Sequence, residues 1–182
     1  AAAMALGTTW VRVPDTIKFV YTGTLPEDIG GKDLILHTIG KIGVDGALNS
    51  VMEFTGPVID ALPMDDRIAM CNMAIEAGGD TGIFPFDDIT KGFLDEVTDG
   101  NYTPFASDPD ATYSRVVEID VTNLKPVVAL PHLPSNVHDA DSVGDDPIDQ
   151  VVIGSCTNGR LSDLRAAAEV MRGNQVHPMV RC

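Results

Sequence analysis

Residues 31–124 alternate between segments with the spacing of helices and short apolar segments typical of strands. Ile35, Ile39 and Ile42 recur at helical intervals after Asp33, and Gly43 is placed to end that helix. Such alternation favours an α/β fold, in which helices cover a sheet. The predicted elements are helices over 33–42, 65–77 and 89–97, the last capped at Asp87 and Asp88, and strands over 50–54, 82–85 and 114–120.

Composition divides the chain into four segments. They are 1–30, the end of a preceding domain with a connector; 31–124, the α/β domain; 125–149, a linker; and 150–182, the truncated start of a second α/β domain. Prolines in the linker fix φ and remove N–H donors, so we expect an extended surface segment that does not build a sheet. Its prolines are Pro126, Pro131, Pro134 and Pro147, interspersed with Asp139, Asp141, Asp145 and Asp146.

The last segment carries the residues most suggestive of chemistry. A predicted strand over 151–154 leads through a polar turn with Cys156 into an amphipathic helix over 161–172. One strand and one helix cannot bury their own apolar faces, so this unit is expected to begin a larger domain. A cysteine near a helix start is placed where N–H groups and the helix dipole favour a thiolate. The alternative is a small buried thiol that only packs.

Charge and cysteine content exclude several classes of protein. The formal net charge is −15, which disfavours binding to nucleic acid or to an anionic membrane surface. Three cysteines are too few and too scattered for a disulfide framework, which favours a reducing compartment, the cytoplasm. Because apolar runs stay well short of the roughly 20 residues of a membrane span, no membrane association is expected.

Asn72 and Glu76 are separated by four positions, which places both on one face of the predicted helix. An amide and a carboxylate presented together suit a metal-bound water or a substrate hydroxyl, although a solvated helix face gives the same pattern. Arg67 on the same helix is expected to be a surface cation. Cys71 is rotated by about 100° from Asn72 and is expected to lie in the core. The four histidines show no metal-site spacing.

Three blocks of sequence resemble the aconitase family, in the same order along the chain. GSCTNGR at 154–160 resembles its first cluster-cysteine motif, in the form found in the 3-isopropylmalate dehydratase branch. VPDTIKF at 13–19 resembles the stretch that leads into the family's second domain, and MCNMAIEAG at 70–78 resembles the helix that delivers an asparagine and a glutamate to the cluster. The resemblance therefore covers nearly the whole chain.

The resemblance implies an aconitase-like fold and a set of functional residues. The expected fold is a central α/β/α sandwich domain, followed by the first strand, turn and helix of a further α/β domain. Family members hold a [4Fe-4S] cluster with three cysteines and leave one iron open to substrate. Cys156 matches the first cysteine, and the two others belong to a downstream Cys-x-x-Cys pair. Glu76 and Asn72 match catalytic positions; Arg160, Ser155 and Asn158 are candidates for substrate binding.

The function implied is that of a hydro-lyase large subunit that interconverts 2-isopropylmalate and 3-isopropylmalate in leucine biosynthesis. Its partners would be a small di- or tricarboxylate and a small subunit. We expect the chain by itself to be an internal fragment, inactive and without a stable cluster. A homoaconitase or a methylmalate-type dehydratase remains an alternative, as do an enzyme with Cys156 as nucleophile and a non-catalytic module.

Overall fold

The computed structural model describes residues 2–144 and 146–182. Ala1, in the expected first segment, and Asp145, in the expected linker, lie outside the described residues. The helices are α1 (Ala2–Leu6), α2 (Gly31–Ile42), α3 (Pro57–Asp60), α4 (Met64–Asn72), α5 (Asp88–Val97) and α6 (Leu161–Met171). The strands are β1 (Asp15–Thr22), β2 (Ser50–Thr55), β3 (Thr81–Ile83), β4 (Arg115–Asp120), β5 (Val127–Ala129) and β6 (Val137–Asp139).

Four of the strands form a parallel sheet in the order β3-β2-β1-β4. Phe19 of β1 lies opposite Phe54 of β2 and Val117 of β4, which brings large apolar side chains into register on one face. Parallel strands joined by helices are what the alternating pattern implied, so the α/β class is confirmed.

The predicted start of the domain at residue 31 is wrong. β1 (Asp15–Thr22) lies inside the sheet, paired with β2 on one side and β4 on the other. Its side chains alternate as a half-buried strand requires, with Ile17, Phe19 and Tyr21 at most 5% exposed. The period-two signal of this strand is visible in the sequence, within the segment expected to be a connector.

The core lies between the sheet and helices α2 and α4. Leu34, Ile35 and Ile39 of α2 are fully buried, as is Met70 of α4. The rings of Phe54 and Phe84 pack at a centroid distance of 5.2 Å. Burial of these side chains is the main source of stability, at roughly 25 cal/mol per Å² of apolar surface removed from water.

Arg67 is buried at the start of α4, and the expectation of a surface cation is wrong. Its residue exposure is 1%. Nη1 and Nη2 donate to the two carboxylate oxygens of Asp87 at 2.8 and 2.7 Å. Nε donates to the carbonyl of Leu62 at 2.9 Å, and Nη2 also donates to that of Ile59 at 3.1 Å. Full use of its fixed fork of donors is what allows a guanidinium to be buried here.

The end of α4 differs from the predicted helix over 65–77. The α-helix ends at Asn72, and Met73–Ala77 continues as a 3-10 helix that stops at Gly78 with φ of 80°. Helix α5 agrees with its prediction, including the cap, because the Asp87 side chain accepts a hydrogen bond from the Thr90 N–H at 2.9 Å.

The predicted linker contains a small sheet, contrary to expectation. β5 and β6 form an antiparallel pair with Val128 opposite His138. Val127 and Val137 of this hairpin pack against the core, and Val127 N–H donates to Asp33 Oδ1 of α2 at 3.1 Å. The prolines did not prevent pairing because they lie outside the two short strands.

Helix α6 is confirmed, but within the described range 146–182 the predicted strand over 151–154 does not form. Gln150, just before this segment, forms an isolated bridge with Arg181, and Val151 N–H donates to the Arg181 carbonyl at 2.8 Å. Val152 is 76% exposed and Ile153 43% exposed, so their apolar side chains remain largely in contact with solvent. An apolar run forms a strand only where a neighbouring strand accepts its backbone hydrogen bonds.

Candidate functional site

The cysteine turn, residues 155–160, leads into α6 and is shaped by two glycines. Gly154 has φ of 102°, a conformation that L side chains rarely adopt. A Cβ built on Gly159 would lie 2.6 Å from the carbonyl oxygen of Ser155, so the close approach of these two residues requires glycine. Thr157 N–H donates to Ser155 Oγ at 3.3 Å, which gives Ser155 a place in the turn itself.

The turn brings Cys156 against the end of α4. Cys156 is exposed, and its Sγ lies 3.9 Å from Asn72 Oδ1. Thr157 Oγ1 donates to the same amide oxygen at 3.3 Å. Two candidates from separate sequence blocks, the cysteine and the asparagine, therefore meet in the folded chain. Thr157, which makes the stronger of the two contacts, was not among the candidates.

Glu76 is exposed in the 3-10 segment Met73–Ala77. The change from an α-helix to a 3-10 helix after Asn72 alters the angle between these two side chains relative to a continuous α-helix. Asn72 and Glu76 are both exposed, and their sharing of one face stays a prediction. Asn72, and not Glu76, makes the side-chain contacts to the cysteine turn.

Arg160 and Asn158 are tied to the start of α6 through Asp163. Arg160 is the N-cap; its N–H donates to Asp163 Oδ2 at 2.9 Å, and Asn158 Nδ2 donates to Asp163 Oδ1 at 2.9 Å. Arg160 Nη1 donates to the carbonyl of Thr157 at 2.7 Å. Asn158 Oδ1 is buried and has no hydrogen-bond partner among the described residues. Arg160 thus stabilises the turn through its contacts with Asp163 and with the Thr157 carbonyl.

Cys156 precedes the N-terminus of α6, as the sequence predicts. Helix α6 begins at Leu161 with Arg160 as its N-cap, so the cysteine lies four residues before the cap. The influence of a helix dipole is largest within the first turn. Cys156 therefore lies outside the first turn of α6, and its support by the helix dipole stays a prediction.

Asp65, in the first turn of α4, is a second residue that sequence reasoning missed. Its Oδ2 accepts a hydrogen bond from Ser162 Oγ, and its Oδ1 lies 3.7 Å from Arg160 Nε. Asp66 beside it accepts from Gly31 N–H at 2.8 Å, and burial, opposed by that hydrogen bond, raises the pKa of its carboxyl above the usual value. The only sequence signal for Asp65 was an acidic residue two helical turns before Asn72.

The other thiols lie apart from this turn. Cys71 is half-buried, and burial raises its pKa to about 11, which agrees with a packing role. Cys182 is exposed. Across residues 2–144 and 146–182, the structure brings together no group of three histidine, cysteine or acidic side chains able to hold a metal ion.

Comparison with known sequences identifies the relatives of this arrangement. The Aconitase family (aconitate hydratase) matches residues 1–146 and 136–182. The chain belongs to the aconitase family. As a member it shares 58% identity over 182 residues with the 3-isopropylmalate dehydratase large subunit of Heliobacterium modesticaldum, covering 100% of this chain and 43% of that protein. Proteins of the same name from Syntrophus aciditrophicus and Desulfatibacillum aliphaticivorans are each 57% identical over 181 residues, with the same coverage.

This aconitase-family chain spans 43% of the length of the curated relatives it matches. Membership implies a [4Fe-4S] cluster in the full-length proteins of the family. Among the residues that the structure describes, none of the helices has the length and apolar composition needed to cross a bilayer.

Proposed function

We propose that this chain is the part of a 3-isopropylmalate dehydratase large subunit that contributes the first cluster cysteine, Cys156. The observation that carries the proposal is the contact of Cys156 and Thr157 with Asn72, which joins two of the three family-like sequence blocks in space. High identity to large subunits of that name supports the substrate, 2-isopropylmalate and its 3-isomer, and a place in leucine biosynthesis.

The residues around Cys156 suit the binding of one iron of a cluster. Cys156 is exposed and lies 4.0 Å from the hydroxyl of Thr157, a group that can donate a hydrogen bond to a ligating sulfur. A cluster needs at least three thiolates, and Cys71, with its pKa raised to about 11, is poorly suited to supply one. The resemblance assigns the two other ligands to a Cys-x-x-Cys pair, and Cys71, Cys156 and Cys182 form no such pair in this sequence. We therefore infer that two cysteines come from polypeptide beyond this chain, and that the chain alone does not assemble a stable cluster.

When bound, the cluster would supply an open iron that acts as a Lewis acid on the substrate's C–OH group. The chain's own residues would do the rest. Asn72 would fix the cysteine turn, and the Glu76 carboxylate would accept a hydrogen bond from the substrate hydroxyl or from a water at the open iron. Ser155, Asn158 and Arg160 would line the substrate's path, and the positive charge of Arg160, whose Nη1 already donates to the Thr157 carbonyl, would attract a substrate carboxylate. The exposed position of Glu76 leaves it accessible to a substrate that approaches from outside α4.

The partners proposed are a small dicarboxylate and the small subunit of the dehydratase, in the cytoplasm. Nucleic acid and membrane remain unsuited to a chain with a net charge of −15. The alternative of a cysteine nucleophile is disfavoured by the neighbours of Cys156, because an amide oxygen and a threonine hydroxyl cannot act as its general base.

The function is tested with the full-length large subunit assembled with its small subunit and loaded with iron and sulfide. We expect interconversion of 2- and 3-isopropylmalate, with homocitrate-type and methylmalate-type acids turned over at least tenfold more slowly. Glu76→Gln should lower kcat by about tenfold to a hundredfold while iron content is retained, the size of a lost charge-assisted hydrogen bond of about 1.5–3 kcal/mol.

Glu169→Gln, which makes the same chemical change on the exposed face of α6, is the matched control and should keep full activity. An assembled, iron-loaded complex without isomerase activity would favour the non-catalytic alternative. Faster turnover of another hydroxy-diacid would reassign the substrate.

A further inference from the structure

Helix α4 touches the cysteine turn and the start of α6 at two places on one helical face. Asp65 meets Ser162 and Arg160, and Asn72 meets Thr157 and Cys156. Seven residues of α-helix rotate by about 700°, within about 20° of two full turns, and rise by about 10 Å. The two contacts therefore lie on a line along the outer surface of α4.

Because the two contacts are separated, they fix the orientation of the cysteine turn relative to α4 as well as its position. A single contact at Asn72 would hold Thr157 near α4 but would leave the turn free to rotate about that point. The second contact, about 10 Å away, removes this rotation. Both contacts span long sequence separations, 97 residues for Ser162 to Asp65 and 85 for Thr157 to Asn72.

Apolar packing between α6 and α4 is too sparse to fix the orientation of the cysteine turn. Leu161 is 62% exposed, Leu164 44% and Met171 40%, so α6 gains little from burial against α4. The polar contacts of its first turn are what tie α6 to the α/β domain. A carboxylate that accepts from a hydroxyl and faces a guanidinium is the strongest kind of polar contact available there.

We propose that Asp65 is a positioning residue for Cys156. It orients the first turn of α6 through Ser162 and Arg160. Arg160 Nη1 in turn holds the carbonyl of Thr157, the residue beside the cysteine, at 2.7 Å. The carboxylate thus acts on the cysteine sulfur through two intermediates and touches neither sulfur nor substrate. The importance of this positioning for catalysis rests on the proposed function. The contacts among Asp65, Ser162, Arg160 and Thr157 do not depend on that function.

The test uses hydrogen exchange of the 182-residue chain. The reporters are the Arg160 amide, which donates to Asp163 Oδ2 at 2.9 Å, and the Leu164 amide, which donates to the Arg160 carbonyl at 3.1 Å. Asp65→Ala should raise their exchange rates about five- to tenfold. Asp65→Asn keeps an acceptor for Ser162 but loses the charge that faces Arg160, so its effect should be intermediate.

Asp88→Ala is the matched control, because Asp88 is the first-turn carboxylate of α5 and its loss weakens a helix dipole contact in the same way. It should leave both reporters within twofold of the unaltered chain. Urea unfolding midpoints are measured for all variants. Faster exchange with an unchanged midpoint indicates local opening, whereas a lowered midpoint indicates loss of global stability.

A double-mutant cycle tests whether the effect travels through Ser162. If it does, Asp65→Ala combined with Ser162→Ala should exchange no faster than Asp65→Ala alone. Rates that multiply, or an Asp65→Ala chain within twofold of the unaltered one, would overturn the proposal.

Alkylation adds a readout at the sulfur itself. Iodoacetamide should modify Cys156 at least threefold faster in Asp65→Ala, because the turn that carries the thiol is less restrained, while Cys182 reacts at an unchanged rate. An unchanged rate at Cys156 would contradict a positioning role. Neither measurement requires the cluster, so loss of the proposed dehydratase activity and failure of this inference are distinguishable.

Discussion

The guanidinium of Arg67 and the carboxylate of Asp87 form a two-pronged ion pair, with Nη1–Oδ1 and Nη2–Oδ2 distances of 2.8 and 2.7 Å. Asp87 is also the N-cap of α5, since it accepts a hydrogen bond from Thr90 N–H. One carboxylate therefore joins the start of α4 to the start of α5, and α4 is the helix that carries Asn72.

Removing the arginine should strongly destabilise the chain. Arg67→Met leaves Asp87 without its charged partner and the carbonyls of Leu62 and Ile59 without their donor, so the free energy of unfolding should fall by about 3 kcal/mol. Urea denaturation measures it. Arg172→Met is the control, because its pair with Glu169 is exposed on both sides and should contribute less than about 1 kcal/mol. Equal effects of the two substitutions would contradict the structural role assigned to Arg67.

The same pair predicts an acid limit to stability. Hydrogen bonds from Arg67 lower the pKa of Asp87 from 3.8 to about 2. Because the folded pKa is the lower one, the stabilisation is fully present above about pH 4 and is lost as the pH falls towards 2. Asp87 is partly exposed, which reduces the contribution to about 1–2 kcal/mol. Unfolding followed from pH 6 to pH 2 should show this loss in the unaltered chain and a smaller one in Arg67→Met.

The close approach of Gly159 to Ser155 should make the cysteine turn intolerant of a methyl group. Gly159→Ala would place Cβ 2.6 Å from the Ser155 carbonyl oxygen, so the turn must open. We expect the full-length large subunit with this substitution to hold less than half the iron of the unaltered protein. Gly92→Ala, at a helical glycine with nothing within 4 Å of an added Cβ, should leave iron content unchanged. Full iron loading in Gly159→Ala would show that the turn adapts.

Cys71 should be much less reactive than an ordinary thiol. Burial raises its pKa to about 11 from about 9, so at pH 8 its thiolate fraction is about a hundredfold lower. Mass spectrometry of alkylated peptides at pH 7–10 should show its rate rising about tenfold per pH unit with no plateau. A plateau below pH 9 would mean that the thiol is solvated.

Local sequence signals predicted the elements whose neighbours also lie close in the chain. Ile35, Ile39 and the stop at Gly43 marked α2 because helical spacing and a C-terminal glycine are short-range features. The cap at Asp87 was equally visible. The meeting of Asn72 with Cys156 was available only from the family resemblance, since nothing in either segment alone indicates the other.

The features that were missed depend on distant partners. The burial of Arg67 follows from Asp87, twenty residues away, and from the carbonyls that end α3. The β5–β6 hairpin forms because α2 offers an apolar surface beneath it, which the prolines around it conceal. From the sequence, Asp65 is an ordinary acidic residue in the first turn of a helix. Its contact with Ser162 is visible only in the structure. Sequence spacing does not encode such contacts between remote segments.

The most direct test of the account is the iron and sulfide content of the full-length large subunit carrying Cys156→Ser, measured beside Cys182→Ser after identical reconstitution. We predict that Cys182→Ser keeps the full cluster with its broad thiolate-to-iron absorption, and that Cys156→Ser loses most of its iron and that absorption. A Cys156→Ser protein with the iron content and spectrum of the unaltered subunit would contradict the assignment of Cys156 as a cluster ligand.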